Sequence, residues 1–415
     1  MKILLYSMNF APELAGVGRY SGEMAQWLSA RGHAVRVVAS PPFFPRWKVF
    51  DGYSGRAYRK SDWQGIPVWR APVWVPSQPR TLARMAHLLS FMVSSVPLLL
   101  AQLRWRPDVV LVVEPPLFCA PAALLFSKAL RIKSWLHIQD YEVDAAFGLG
   151  LLQGGRIRRM ALAVERWLLG RFDRVSTLSD AMLRRAEDKG VAPVRLVRFP
   201  NWVDVRAIRP RPAGAQGRGG VADDYRAELG MPSDAVVVLY AGSLGNKQGM
   251  ELLVQAAGLL GETAGIHFVI CGNGPGRAAL VDACSALRRV HFLDLQPADR
   301  LDALLGMADI HVLPQRHDAA DLVMPSKLAG MFASGRAVVA TARPGTELGR
   351  VVAGRGMVVP PGDARLLAEA IAQLATSRTR REALGAAGRA YAEAELDRDA
   401  ILHRFEHELR RCVAG

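Results

Sequence analysis

The sequence predicts an α/β protein built from two doubly wound parallel-sheet domains, and three observations carry that prediction. The chain has 415 residues, whereas a single core seldom grows past about 250–300. Short apolar runs alternate with helix-like segments in both halves, the pattern of parallel sheets wrapped in helices. Two of the runs end in glycine-rich turns. Residues 236–240 empty into Ala241-Gly242-Ser243-Leu244-Gly245-Asn246-Lys247-Gln248-Gly249, and residues 266–271 into Gly272-Asn273-Gly274-Pro275-Gly276. Ligands of open parallel sheets sit outside the carboxyl ends of the strands, where helix N-termini offer free N–H groups to phosphate. Either turn by itself equally well closes a β-to-α connection. Two in register, with Lys247 nearby, point to a nucleotide crevice.

Taken in order, residues 3–7 read as the first strand. That apolar run is too short for a signal peptide, and Asn9 to Glu13 interrupt it. The loop from Met8 to Gly18 leads to a helix over 19–30, with Met24, Ala25, Trp27 and Leu28 on its inner face. Gly32 stops it, and 33–39 is the next strand. Residues 41–65, rich in proline, aromatics and charge, form a long loop of the kind that is commonly functional. A strand over 66–71, a long apolar helix near 85–103, a strand over 108–113 and a helix to 130 follow. The strand over 132–138 ends at His137, Gln139 and Asp140. A helix near 155–170 and strands over 174–178 and 194–199 complete the half. Pro200-Asn201-Trp202-Val203-Asp204 close the first domain, and the proline- and glycine-rich stretch 209–221 is linker-like. The second half repeats the alternation to about Pro361, then gives helices over 363–373, 380–395 and 399–411. The expected domains are therefore 1–205 and 206–395, with 396–415 packing back on the first.

Composition narrows the partners. Lys and Arg exceed Asp and Glu by 15, an excess that suits an anionic partner. No run of consecutive basic residues and no zinc-finger spacing is present, so a sugar nucleotide or an acidic membrane surface ranks above nucleic acid. Half the residues are hydrophobic, enough for a large core. Cys119, Cys271, Cys284 and Cys412 are scattered, which reads as buried free thiols in a reducing cytoplasm. The apolar stretch 85–103, flanked by Arg80, Arg84, Arg104 and Arg106, approaches the length of a span. It reads as a core helix or one lying on the bilayer, so peripheral attachment to the inner face of the cytoplasmic membrane is expected. Arg46, Lys48, Arg59 and Lys60 could meet a lipid diphosphate or an acidic surface, each cation contributing about 1 kcal/mol.

Several motifs share one order along the chain. They are Pro12-Glu13 with Gly16-Val17-Gly18-Arg19, Pro200-Asn201-Trp202-Val203-Asp204, and Gly242-Ser243 with Asn246-Lys247-Gln248-Gly249. Then come Gly272-Asn273-Gly274-Pro275, Met324-Pro325-Ser326-Lys327 with Ala333-Ser334-Gly335, and Gly345-Thr346-Glu347 before Gly362-Asp363. Together they resemble the GT-B glycosyltransferases, and among them the family-4 retaining enzymes. Asn246 to Gly249 and Asp321 to Leu328 are most similar to bacterial colanic acid, exopolysaccharide and O-antigen transferases, including fucosyl- and fucosaminyltransferases. The resemblance implies two Rossmann-like domains facing across a cleft, an acceptor-binding first and a donor-binding second. It implies a GDP-fucose-like or UDP-sugar donor, a polyprenyl-diphosphate-linked glycan acceptor, and neither metal nor other cofactor.

The resemblance also implies roles. Lys327, His137 and Glu13 would be catalytic: Lys327 on the diphosphate, His137 on the sugar or acceptor, Glu13 on the acceptor hydroxyl. Gly16, Gly18 and Arg19 would approach sugar and phosphate, as would Gly242, Ser243, Lys247 and Gln248. Gly272, Asn273, Gly274 and Pro275 would lie beside the base, Pro325 and Ser326 at the diphosphate, and Glu347 on the ribose or sugar. Each has a plain reading too: a tight turn, a buried strand-end histidine, a solvated helix-end charge. The chain departs from the family at four positions. The glutamates of its E-x7-E pair fall at Leu322 and Gly330, and its phosphate-loop arginine and lysine at Ser243 and Gln248. That departure keeps two alternatives open: a non-catalytic nucleotide-sugar-binding subunit, or an epimerase or other enzyme on the same architecture.

Overall fold

The computed structural model describes residues 1–14, 16–77, 81–148, 155–210, 221–245, 249–261, 265–315 and 324–415. They fall into two compact units, Met1–Pro200 with Leu402–Gly415, and Asn201–Ile401.

The first unit runs β1 (Lys2–Ser7), α1 (Gly16–Ala30), β2 (Ala34–Ala39), β3 (Arg59–Trp63), β4 (Ile66–Arg70) and α2 (Thr81–Ala101). It continues through β5 (Val109–Glu114), α3 (Ala120–Leu130), β6 (Lys133–Ile138), α4 (Glu142–Gly148), α5 (Gly155–Leu169), β7 (Arg174–Thr177), α6 (Asp180–Asp188) and β8 (Leu196–Arg198). The sheet order is β3-β4-β2-β1-β5-β6-β7-β8. Helices cover it, so central strands such as Val109–Glu114 are buried at every position and read as unbroken apolar runs. β3 is the exception, antiparallel to β4 at the edge. It lies inside the stretch expected to be loop. Arg59, Lys60 and Asp62 face solvent there, and such charge protects an edge from further pairing while hiding it from an apolar-run search. A second difference is that α1 starts at Gly16, so Gly16 and Gly18 belong to its first turn.

The second unit holds α7 (Val221–Glu228), β9 (Val236–Ala241), α8 (Met250–Leu260), β10 (Ile266–Cys271), α9 (Arg277–Ala283), β11 (Val290–Leu293), α10 (Leu301–Gly306) and β12 (Ile310–Leu313). After them come α11 (Lys327–Ala333), β13 (Ala337–Thr341), α12 (Glu347–Val352), β14 (Met357–Val359), α13 (Ala364–Thr376) and α14 (Arg378–Glu395). Its six strands are all parallel, in the order β11-β10-β9-β12-β13-β14. The last helix, α15 (Arg398–Ala414), is grouped with the first unit from Leu402 onward. Phe405 stacks on Phe199 at 4.0 Å and meets Trp135 edge-on at 5.2 Å. Glu406 is buried beside His33 at 2.9 Å and Arg31 at 2.7 Å. Against its burial, hydrogen bonds from Arg410, His33 and Arg31 hold that carboxyl at about 2.

In each sheet the order reverses once, between β1 and β5 and between β9 and β12. Ligands of doubly wound sheets bind outside the carboxyl ends of strands at such a switch point.

Candidate active site

At the switch point of the second unit, Lys327 on α11 turns back toward the end of β9. Its Nζ donates to Tyr240 Oη at 2.7 Å and sits 4.2 Å from the ring centre. Tyr240 Oη in turn donates to the Ser243 carbonyl at 2.6 Å. Among the described residues, the phenol is the ammonium's hydrogen-bond partner and no carboxylate forms a salt bridge with it. Burial pushes Lys327 down to about 7. A lysine so enclosed gains most from an anion, because an opposite charge restores the protonated form that burial disfavours. Gly242 makes room for it: a β-carbon there would lie 2.7 Å from Nζ.

The second glycine turn packs on the first. Gly242 N donates to Cys271 O at 2.9 Å, Leu244 N to Asn273 O at 3.0 Å, and Gly276 N to Leu244 O at 3.0 Å. A β-carbon on Gly272 would collide with the Gly242 carbonyl, and one on Gly274 would stand 2.5 Å from Leu244 O. Turn-on-turn packing is thus the structural demand that Gly272 and Gly274 meet. The Asn273 amide nitrogen faces Asp294 Oδ1 at 3.2 Å and Gly272 O at 3.1 Å, and Pro275 follows, exposed. Ser243 is partly exposed beside Gly242. Pro325 O accepts from Leu328 N at 3.1 Å, and the Ser326 hydroxyl leaves the start of α11 uncapped. Glu347 is buried at the start of α12, where Thr346 caps the helix. Lys247 and Gln248 lie outside the described residues, as does Leu322. At Gly330 a β-carbon would touch Leu305 Cδ1 at 3.3 Å, tight against α10.

The first unit presents a different picture. Glu13 is buried and turned inward. Its Oε1 accepts from the backbone N–H of Phe43 and of Phe44, both at 3.0 Å, and Oε2 from Asn9 Nδ2 at 3.0 Å. Burial raises the carboxyl to about 7 despite these bonds. Glu13 therefore ties the β1–α1 loop to the segment after β2, and a β-carbon on Gly18 would strike its Oε2. Gly16, at φ +60°, opens α1 in the left-handed region. Arg19 is engaged within the helix, Nε to Glu23 Oε1 at 2.7 Å. His137 sits in β6, with Nδ1 3.0 Å from Ser176 Oγ, Nε2 3.1 Å from Gln139 Nε2, and its ring against Phe199. Burial holds it down at about 3, so it is neutral at working pH. The structure thus brings Gly242, Ser243 and Lys327 together in one unit and Glu13 and Gly18 in the other. It gives Glu13, Arg19 and His137 partners inside their own unit.

Two features escape sequence reasoning. Tyr240 reads as one more apolar strand residue, yet it holds both Lys327 and the Ser243 carbonyl. In the first unit, Asp144 on α4 takes Arg185 at 2.8 and 2.6 Å and Lys189 at 2.8 Å, and Lys189 also pairs with Glu165 of α5. Beside them burial pushes Glu114, at the end of β5, well above the usual carboxylate range. Among the described residues no three His, Cys, Asp or Glu side chains gather as a metal site.

Residues 15–202 match the model of the glycosyl transferase 4-like domain, and residues 235–377 that of the glycosyl transferases group 1. A glycosyl transferase assigned to colanic acid biosynthesis, WcaI of Escherichia coli (strain K12), is 41% identical over 418 residues, covering 99% of this chain and 100% of the relative. The GDP-mannose-dependent alpha-(1-6)-phosphatidylinositol monomannoside mannosyltransferase of Mycobacterium tuberculosis is 26% identical, over 99% of this chain and 98% of the relative. Anabaena HepE, crystallised with UDP and glucose, superposes with a TM-score of 0.71 at 16% identity, over 99% of this chain and 100% of HepE. The two parallel-sheet units are those of the GT-B fold, and the chain belongs to the family-4 glycosyltransferases, as a full-length relative of the colanic acid biosynthesis enzyme.

Proposed function

We propose that the enzyme moves a hexosyl or deoxyhexosyl group, with retention of configuration, from a GDP- or UDP-sugar to a polyprenyl-diphosphate-linked glycan. The reaction belongs to exopolysaccharide or O-antigen assembly, at the inner face of the cytoplasmic membrane. The observation that carries this reading is Lys327, a partly buried ammonium at the switch point whose hydrogen-bond partner among the described residues is a phenol. A nucleoside diphosphate is a good leaving group once its charge is held, so positioning and electrostatic stabilisation are the main tasks. Lys327 supplies the charge and Tyr240 fixes its place. Gly242 and Ser243 let the diphosphate approach the main chain. Glu13 and His137 act at one remove, by holding the loop and strand end they belong to. The names of the relatives support both halves of the reading: a GDP-sugar donor and a lipid acceptor for the mycobacterial enzyme, UDP and glucose for HepE.

The test is a thermal-shift and calorimetry panel of GDP, UDP and their sugars. A ligand at 100 times its Kd adds about 2.7 kcal/mol of stability. One nucleotide family is expected to stabilise the wild type and to lose that effect in Lys327→Ala. Stabilisation that survives the substitution undiminished would remove Lys327 from the site.

A further inference from the structure

Helix α5 carries an apolar stripe that faces away from its own unit. Ile157, Met160, Val164 and Trp167, spaced i, i+3, i+7 and i+10, are 52%, 66%, 52% and 56% exposed. These positions share one side of a helix. The side away from the stripe is fixed inward, since Leu169 is buried and Glu165 pairs with Lys189 of the buried cluster. Exposed single hydrophobics are ordinary, but a continuous stripe marks an interaction surface. Its surroundings are cationic. Arg156, Arg158, Arg159, Arg166 and Arg171 are all exposed, and Arg171 lies 4.4 Å from the Trp167 ring. Between residues 155 and 171 the only acidic side chain is the buried Glu165.

The stripe has company. The connections β4 to β5, β5 to β6 and β6 to β7 all step the same way along the sheet. Right-handed crossovers therefore place α2, α3 and α5 on one face, opposite α1. On that face α2 exposes Leu82, Val93 and Leu100, and α3 exposes Leu125. α2 is long and apolar enough to span a membrane. However, Phe91, His87 and Ser95 on its other side are buried, and Ser95 Oγ bonds Tyr6 Oη at 2.5 Å. It is thus a built-in helix of the unit with one apolar side left outward.

We propose that α5, with the outward sides of α2 and Leu125, is the surface by which this enzyme lies on an anionic bilayer. The proposal rests on the membrane-linked acceptor reading and adds where the attachment runs. Helices of this make-up lie in the interface plane with the apolar side down, and tryptophan and arginine favour the headgroup level. Charge decides between a bilayer and a second copy of the chain. Two copies would bring ten arginines face to face, in a protein that already carries a net charge of +15, whereas anionic headgroups complement them.

Full-length protein is sedimented with phosphatidylcholine vesicles, with and without one third phosphatidylglycerol. Wild type is expected to bind the anionic vesicles, less so in high salt. The double variant Met160→Glu/Trp167→Glu is expected to bind at least about tenfold more weakly. Arg156→Gln/Arg158→Gln/Arg159→Gln is expected to lose the preference for phosphatidylglycerol. Both variants keep the wild-type melting temperature and its shift with nucleotide, since these residues are exposed and in the first unit. If wild type binds and the α5 variants bind equally well, the assignment falls while the membrane reading stands. If wild type ignores both vesicles, both fall. Self-association that the double variant abolishes, without vesicle binding, assigns the stripe to a contact between copies instead.

Discussion

The two switch points are built from similar parts and used in opposite ways. In the first unit the loop after β1 carries a carboxylate, and that carboxylate is consumed by its surroundings, with two backbone N–H groups and an asparagine amide on it. In the second unit the first residue of α11 carries an ammonium against a phenol and a bare glycine. Both groups are moved by burial toward about 7, the carboxyl up and the ammonium down. A similar perturbation therefore marks two different things. A buried charge that the chain itself satisfies is scaffold, whereas one that has, among the described residues, a single neutral partner is available to a ligand. The direction of a shifted pKa does not distinguish them; the inventory of partners does.

The sharpest way to break this contrast is to remove both groups. Lys327→Ala is expected to lower kcat/KM for sugar transfer by about 10²–10³, the range for loss of one preorganised charge-stabilising group, with little change in melting temperature. Glu13→Ala is expected to do the reverse. It strands two backbone N–H groups and an amide, at about 1–3 kcal/mol each before relaxation. A net loss near 2–4 kcal/mol lowers the melting temperature by roughly 5–10 °C, while nucleotide affinity in the second unit is unchanged. If Glu13→Ala leaves stability intact and abolishes transfer, Glu13 is a reactive group and the contrast is lost.

Titration sharpens the comparison next. Glu13 has a folded pKa above its unfolded value, so the stability it contributes is present below the ordinary carboxylate range and lost as pH rises through about 7. Glu13→Gln, followed by denaturant melts from pH 5 to 8, is expected to gain on wild type as pH rises. Lys327 has the opposite sign on binding. On the proposed reading the diphosphate binds the protonated form and raises its pKa, so binding takes up a proton. Nucleotide Kd is expected to weaken by up to about tenfold per pH unit above pH 7, and this slope to vanish in Lys327→Ala.

Much of the fold was legible because its parallel strands are buried on both sides and announce themselves as apolar runs. The edge strand β3 was not, since three of its five positions are charged and its pairing depends on β4 rather than on its own pattern. In the site, Gly242 and Lys327 were legible as types at recognisable positions. Gly272 and Gly274 were legible as glycines, although their packing against the first turn appears only once β9 and β10 lie side by side. The partners of Glu13 lie 30 and 31 residues away along the chain, a separation no local motif encodes. The α5 stripe was hidden by the arginines interleaved with it, which lower its apparent apolarity while making it a better surface for anionic lipid.

Tyr240 gives the smallest and most discriminating test. Its hydroxyl accepts from Lys327 and donates to Ser243 O, so Tyr240→Phe removes one neutral hydrogen bond to a cation and frees one carbonyl, while the ring stays beneath the ammonium. A hydrogen bond to a charged group contributes about 1.5–3 kcal/mol at most, and the bound diphosphate takes over part of that task. The expected loss is therefore about three- to tenfold in kcat/KM, carried mainly by KM for the donor. The pH dependence of nucleotide Kd should shift downward, because the protonated lysine loses an acceptor that favours its charged form. A purely structural tyrosine would lower the melting temperature and leave that profile where it was. An unmoved profile with lowered stability would return Tyr240 to the core and leave Lys327 to be placed by the backbone of Gly242 and the start of α11.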